Sequence, residues 1–252
     1  MTHKMIRNTL LFLAVFVSSA VFGQTTEKNV RTAGQLWLGY LNQIRFSEKW
    51  GAWVDIHYRM TDNLADRPMT FIFRPAVTYF IKDNLRINAG YALVKHYPAK
   101  GISTTRSEHR PWQQIWWNQK YSGLTLLQYL RFEQRFNQKV VSDQIQDGYD
   151  YNFRVRYSFS FFVPLNRKEI IAKTPFIGVT NEVFLNFGDN ITYNTFDQNR
   201  LFAAFGYQFT PQLNAQLGYM HLYQQLASGH NYLSAHAIRL AVTQTLDLRK
   251  KE

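Results

Sequence analysis

Arginine and glutamate alternate with apolar residues in the segment RFEQRF, residues 131–136. Arg131, Glu133 and Arg135 are spaced two residues apart, so in a β-strand all three side chains would project from one face. Arg154 and Arg156 repeat this spacing in a following segment, and we expect them to lie beside the trio. The cluster would form either an arginine-lined constriction that favours anions or a salt-bridged plug that stiffens a closed sheet. Because unpaired cations would repel one another, we favour the plug.

A serine and a histidine near the middle of the chain have the residue types of a hydrolase. Ser107 and His109 would share one face of a strand, and with Asn118 they would supply a nucleophile, a base and an orienting group. The residues around them match no lipid-modifying hydrolase of the outer membrane. We therefore interpret them as polar residues at the start of a strand and expect no enzyme, with the hydrolase as an alternative.

Candidate metal ligands are present but lack a metal-binding pattern. His221, His230 and His236 do not have the HExxH spacing, and the chain contains no cysteine. The acidic residues in and after SDQIQDGYDY match no calcium-loop pattern. We expect neither a metal site nor a cofactor.

The segment YNFRVRYSFSFFVP, residues 151–164, indicates which elements must position the charged side chains. Its apolar residues alternate with asparagine, arginine and serine, as in a strand with one apolar and one polar face. Eleven segments between residues 34 and 248 repeat this pattern, most of them 11 to 14 residues long. Strands of soluble sheets average about 5–6 residues, whereas a tilted strand that crosses a bilayer needs about 9–11. The lipid-facing candidates in this segment are Tyr151, Phe153, Val155, Tyr157, Phe159 and Phe161.

These segments predict an all-β fold, a single antiparallel transmembrane β-barrel. Short connections such as 82–84 alternate with long ones such as 137–149, although 165–174 is long where a short turn is expected. Bacterial single-chain barrels have an even number of strands, so we predict about 12 strands, with 10 as the alternative. Tryptophans near segment ends, among them Trp37, Trp112 and Trp116, are expected in an aromatic girdle at the membrane interface. The lumen-lining candidates are Arg59, Arg74, Arg86, Arg131, Glu133, Arg135, Arg154, Arg156, Glu182 and Arg239.

The N-terminal residues indicate export from the cytoplasm of a Gram-negative cell. Lys4 and Arg7 precede the apolar run TLLFLAVFVSSAVFG, which predicts a signal peptide over residues 1–23, cleaved before Gln24. Residues 24–252 would then form the barrel domain in the cell outer membrane. The formal net charge of +12 is spread along the alternating segments, and with export this argues against nucleic acid as a partner. The expected partners are outer-membrane lipid and, during biogenesis, the barrel-assembly and chaperone machinery.

Several longer segments also resemble a known family. They are LWLG (36–39), EHRPWQQ (108–114), RFEQRF (131–136), PFIGVTNEVFLNF (175–187) and FDQNRLFAAFGYQFTPQLNAQLGYMH (196–221). Together they resemble the outer-membrane β-barrel family catalogued as domain of unknown function 2490. The resemblance implies a barrel of uncharacterised role and brings no catalytic residues. We therefore expect a structural protein or a narrow anion-leaning channel, with a lipid-modifying hydrolase and a soluble periplasmic β-protein that binds an anionic ligand as alternatives.

Overall fold

The computed structural model describes residues 27–249, so the predicted signal peptide and its cleavage site lie outside the described residues. Alternating apolar and polar residues form long β-strands throughout this range, and none of its segments is a helix long and apolar enough to cross a membrane. The strands are β1 (Asn29–Arg45), β2 (Trp50–Thr61), β3 (Arg67–Lys82), β4 (Leu85–His96), β5 (Arg106–Tyr121), β6 (Leu124–Val141), β7 (Gln144–Pro164), β8 (Thr174–Phe187), β9 (Phe196–Gln208), β10 (Leu213–Gln225) and β11 (Asn231–Asp247).

The eleven strands close into one barrel, which confirms the predicted all-β barrel and shows that the predicted count of about 12, or alternatively 10, is wrong. Neighbouring strands are antiparallel except β1 and β11, which pair in parallel from Asn29↔Asn231 to Arg45↔Asp247. An even count is needed only when the first and last strands must also be antiparallel. The parallel pair, whose hydrogen bonds are evenly spaced and slanted, allows an odd number of strands to close.

The connections divide into two rims. One end of the barrel is called the loop rim. It carries the connections 62–66, 97–105, 142–143, 188–195 and 226–230. The opposite end, with 46–49, 83–84, 122–123, 165–173 and 209–212, is the turn rim. The long loop predicted over 137–149 is instead an extended hairpin, because β6 and β7 continue to a two-residue turn at Ser142 and Asp143. Both turn residues have positive φ (50° and 58°), the geometry that matches the twist of paired strands.

The carboxylate of Asp143 links two connections of the loop rim by hydrogen bonds. Its oxygens accept hydrogen bonds from the backbone N–H of Ser103 (2.9 Å), the Ser103 hydroxyl (2.8 Å) and the backbone N–H of Thr104 (2.8 Å). These donors stabilise the ionised form and lower the pKa of Asp143 from 3.8 to about 2. The carboxylate therefore ties the 97–105 loop to the β6–β7 hairpin.

Side chains alternate between the interior and the outer wall along each strand. In β7, Arg154, Arg156 and Ser158 are buried inside, whereas Tyr157 and Phe161 are 39% and 40% exposed on the outside. Two glycines allow close approach of neighbouring strands. A Cβ at Gly90 or Gly218 would lie closer than 3.0 Å to backbone atoms of the adjacent strand.

Candidate functional site

The interior of the barrel holds a high density of charge. Ten arginines and five carboxylates line it between the two rims, and these groups alone carry an excess of five positive charges. The arginines are Arg59, Arg74, Arg86, Arg110, Arg131, Arg135, Arg154, Arg156, Arg200 and Arg239. The carboxylates are Asp55, Glu108, Glu133, Glu182 and Asp197.

Glu133 is the centre of a continuous ion-pair network. Its carboxylate accepts hydrogen bonds from Nε and Nη2 of Arg154 (2.8 and 2.7 Å) and from Nη1 of Arg156 (2.9 Å). Arg110 Nη1 lies 3.6 Å and Arg131 Nη1 4.0 Å from the same carboxylate. One buried anion therefore binds or adjoins four guanidinium groups, so the trio predicted from RFEQRF is tied to β5 and β7 through Glu133.

The network continues from Glu133 in both directions around the barrel. On β5, Glu108 accepts from Arg110 Nε (2.9 Å), Arg135 Nε (2.6 Å) and His96 Nε2 (2.9 Å). On the other side, Arg154 Nη1 donates to Asp197 (2.9 Å) and Arg156 Nε donates to Glu182 (2.9 Å). Side chains of six consecutive strands, β4 to β9, are thereby joined through ionic contacts.

At the level of this network the interior is densely packed. Each of the eleven strands contributes an inward side chain that is no more than 6% exposed. These residues are Gln35, Thr61, Thr70, Val94, Glu108, Glu133, Arg154, Asn186, Gln198, Leu222 and Ala235. We refer to this packed level as the plug. It is built from ion pairs on one side and from apolar side chains of β10 and β11 on the other.

Between the plug and the turn rim lies a cavity of about 450 Å³, which we call the chamber. Its lining extends from Arg59 and Arg156 at the plug to Lys120, Ile170 and Gln208 at the turn rim. Seven arginines line it but only two carboxylates, Asp55 and Glu182, so the positive excess of the interior is concentrated here.

Many of these guanidinium groups lie over the faces of aromatic rings. Arg59 lies 3.6 Å from the ring centre of Trp37, and Arg86 lies 3.6 Å from that of Trp116. Arg131 lies 4.5 Å from Trp112. Trp37, Trp112 and Trp116 are thus buried inside the barrel, so placing these three in an interfacial girdle was wrong. The attraction between each guanidinium charge and the face of its ring favours these inward positions.

Three chamber arginines, Arg59, Arg86 and Arg239, differ from those of the plug. Among residues 27–249, no carboxylate oxygen lies within 4.0 Å of their guanidinium nitrogens, and they donate no hydrogen bond to the protein. By contrast, Arg74 donates to Asp55 (2.7 Å), whose carboxylate also contacts His57.

The predicted site residues lie on two opposite surfaces. All ten lumen-lining candidates have inward-facing positions, and ionic contacts join Arg131, Glu133, Arg135, Arg154, Arg156 and Glu182 in the plug network. Of the six lipid-facing candidates, Tyr157 and Phe161 are exposed on the outer wall. The other four are half-buried there, stacked on outer-wall aromatic neighbours or beside them. These four are Tyr151, Phe153, Val155 and Phe159.

The hydrolase arrangement is not assembled. Ser107 and His109 face outward on either side of the buried Glu108, and His109 Nδ1 contacts the hydroxyl of Tyr91 (2.5 Å). Asn118 follows His109 by nine positions on the same strand, about 30 Å away, so it cannot orient the histidine.

The histidines do not assemble a metal site. His221 and His236 are cross-strand partners with ring centres 5.3 Å apart, while His230 belongs to the loop 226–230. No group of three or more potential metal ligands occurs in the described part of the chain.

Sequence reasoning missed several residues of the interior. Glu108 and Arg110 complete one side of the plug, and Asp197 and Arg200 complete the other. Glu108 and Arg110 have the same two-residue spacing as the trio of β6, so extending the alternation rule to EHR would have found them. Asp197 and Arg200 are three residues apart, which by alternation would put them on opposite faces. A register shift between β8 and β9 at Phe184 and Leu185 brings both into the ion-pair network, and no local pattern predicts it.

The fold and interior define a class of protein: a closed β-barrel with an apolar outer wall and an ion-paired, arginine-rich interior. The chain belongs to the family described as Protein of unknown function (DUF2490), whose sequence profile matches residues 34–233, which confirms the predicted family. An uncharacterized protein of Methylorubrum extorquens is 27% identical over 224 residues, which cover 86% of this chain and 89% of the relative. Among solved structures, the NanC porin aligns with a TM-score of 0.48 and 14% identity, over 84% of this chain and 99% of the porin.

Proposed function

We propose that the chain is an outer-membrane β-barrel, exported with a signal peptide that is cleaved before Gln24, and that residues 24–252 serve a structural, non-enzymatic role. The observation that carries this proposal is the outer wall, where every strand exposes a large hydrophobic side chain. One such residue from each strand in turn is Leu38, Trp50, Val77, Ile87, Ile115, Leu130, Phe161, Val179, Phe205, Leu217 and Leu240.

The distribution of polarity supports a lipid environment over a soluble one. Soluble monomers rarely expose apolar patches larger than about 300–600 Å², whereas here the apolar residues continue around the barrel. The shortest strands have 12 residues, about 40 Å, which at a tilt of about 45° covers the roughly 25 Å apolar band of an outer-membrane barrel. We therefore propose outer-membrane lipid as the partner of the wall, with the barrel-assembly and chaperone machinery acting during biogenesis.

Extraction of cell envelopes tests the membrane assignment. We expect the protein to stay in the pellet in high salt and in sodium carbonate, and to enter solution only with detergent. The purified protein should migrate faster on a denaturing gel before boiling than after, because a closed barrel resists unfolding by the detergent. Release by carbonate alone would contradict the proposal and would favour a soluble periplasmic protein.

The plug supports a structural role over that of an open channel. We propose that the packed side chains of the plug block a continuous aqueous passage, so we expect the purified protein to give no stable single-channel steps in a planar lipid bilayer. The variant in which alanine replaces both Arg131 and Arg154 should either give no conductance steps, like the wild type, or show new ones. Regular steps from the wild-type protein would overturn the closed-lumen proposal and restore the anion-leaning channel.

A further inference from the structure

We propose that the chamber binds a small solute with two or more oxyanion groups, carboxylates or phosphates, through Arg59 and Arg239, with Arg86 on the entry side nearer the turn rim. This inference goes beyond the proposed function, which needs only the apolar wall and the plug. It concerns the side of the interior that faces the turn rim.

Two of these arginines lie on the two strands that neighbour Trp37. Trp37 of β1 is the cross-strand partner of Arg59 on β2 and of Arg239 on β11, so the three residues form a row across adjacent strands. The guanidinium of Arg59 lies 3.6 Å from the Trp37 ring centre, and that of Arg200 lies 4.9 Å from it. Arg239 lies 4.7 Å from the ring of Phe202. Stacking holds the planar guanidinium groups in place while their edges stay free to donate hydrogen bonds.

Arg86 is positioned by a second aromatic pair. Its guanidinium lies 3.6 Å from the ring centre of Trp116 and 5.6 Å from that of Trp53. Arg86 and Trp116 are cross-strand partners on β4 and β5. The residue is closer to the turn rim than Arg59, since it is the second residue of β4. A ligand that enters from this rim would meet Arg86 before Arg59.

Hydrogen-bond donors in the chamber outnumber their acceptors. Each arginine offers five N–H donors, yet Arg59, Arg86 and Arg239 donate to no protein group in the described range, and the Nε atoms of Arg59 and Arg86 are buried. Arg74 Nε and Trp53 Nε1 also lack an acceptor, on side chains that are 3% and 5% exposed. Buried unsatisfied donors are rare in folded proteins, so their concentration around one cavity indicates a ligand that accepts hydrogen bonds.

The charge balance specifies the sign of that ligand. Both carboxylates that line the chamber are engaged: Asp55 contacts Arg74 and His57, and Glu182 accepts from Arg156 and Tyr129. Neither carboxylate lies within 4.0 Å of Arg59, Arg86 or Arg239, so within residues 27–249 these three guanidinium groups have no direct ion-pair partner inside a poorly solvated space. Carboxylate and phosphate match the planar fork of arginine, and 450 Å³ accommodates a small solute.

Isothermal titration of the folded protein in zwitterionic detergent at low salt tests this site. The probes are citrate for carboxylates and pyrophosphate for phosphates, with glucose as an uncharged control. We expect saturable binding of one citrate or pyrophosphate per chain and none of glucose. Arg59→Gln and Arg239→Gln should each weaken that binding about tenfold or more, because a hydrogen bond between charged groups is lost.

Arg31→Gln is the matched control, since it removes the same charge from an exposed position at the loop rim of β1. It should leave the dissociation constant within about twofold. Heat-modifiable migration would verify that each variant is folded, and if Arg59→Gln fails to fold, Arg239→Gln carries the test. Equal weakening by Arg31→Gln, or the absence of saturable binding for both anions, would overturn the proposal. Envelope extraction reports on the membrane assignment independently of these titrations.

Discussion

Replacing Glu133 by glutamine tests whether the plug stabilises the barrel. The side chain is fully buried, accepts three hydrogen bonds of 2.7–2.9 Å from Arg154 and Arg156, and lies within 4.0 Å of two further guanidinium groups. Glutamine keeps the volume but removes the negative charge, and its amide would direct two donors at groups that only donate. Removing one partner of a buried ion pair costs about 3–5 kcal/mol. Because Glu133 adjoins four cations, we expect a loss of about 5 kcal/mol in the free energy of unfolding.

Urea unfolding in detergent micelles, followed by the fluorescence of the six tryptophans, measures this change. Glu169→Gln is a suitable control because Glu169 is an exposed residue of the 165–173 connection. It should change the free energy by no more than about 0.5 kcal/mol. A loss below about 1 kcal/mol for Glu133→Gln would refute the reasoning, since it would mean that the arginines find other partners or water. In a double-mutant cycle, Glu133→Gln with Arg154→Gln should cost less than the sum of the single changes.

Three further changes probe the wall, the loop rim and the close approach of strands. Tyr157→Arg on the outer wall should cost about 2–4 kcal/mol in urea unfolding if the site lies near the bilayer midplane. Asp143→Asn should increase hydrogen exchange in the 97–105 loop. In the wild type, the contribution of this carboxylate is complete above pH 3.8 and disappears as the pH falls through about 2, because its pKa is lowered in the folded state. Gly218→Ala should cost about 1–3 kcal/mol, because its new Cβ would overlap the backbone of β9.

Each of these changes has a matched control. Gln146→Arg places the same charge on the exposed end of β7 and should have little effect. Asp147→Asn, in the same exposed hairpin as Asp143, should leave hydrogen exchange of the 97–105 loop unaltered. Gly34→Ala has ordinary space around its new Cβ, at 3.6 Å from the nearest atom, and should be tolerated. Equal effects in a variant and its control would contradict the structural reason given for that variant.

The strands and their faces were predictable because alternation with a period of two is a local property of the sequence. Arg154 and Tyr157 have odd spacing, and the structure places them on opposite surfaces of β7. The same logic assigned Glu133 to the side of the arginines. Periodicity thus separates the two faces without any knowledge of the partners across the barrel.

The closure of the barrel and the residues that contact the tryptophan rings were not predictable in the same way. Whether Asn29 pairs with Asn231 depends on a register between distant segments that no local pattern encodes. Trp37 was expected at the membrane interface because tryptophan is common there. Trp37 follows the inward-facing Gln35 by two residues, so strand alternation points it inward as well. Its partner Arg59 lies on another strand.

The pairing of β1 with β11 has a consequence for the order of folding. Asn29 and Asn231 are separated by about 200 residues, so this contact has one of the largest loop-closure entropies in the chain. Until β11 arrives, β1 has only β2 as a neighbour and presents a free edge of backbone donors and acceptors over 17 residues. Such an edge would pair with any available strand of another chain. The interval between synthesis of β1 and its closure by β11 is therefore the period in which the protein is most exposed to aggregation.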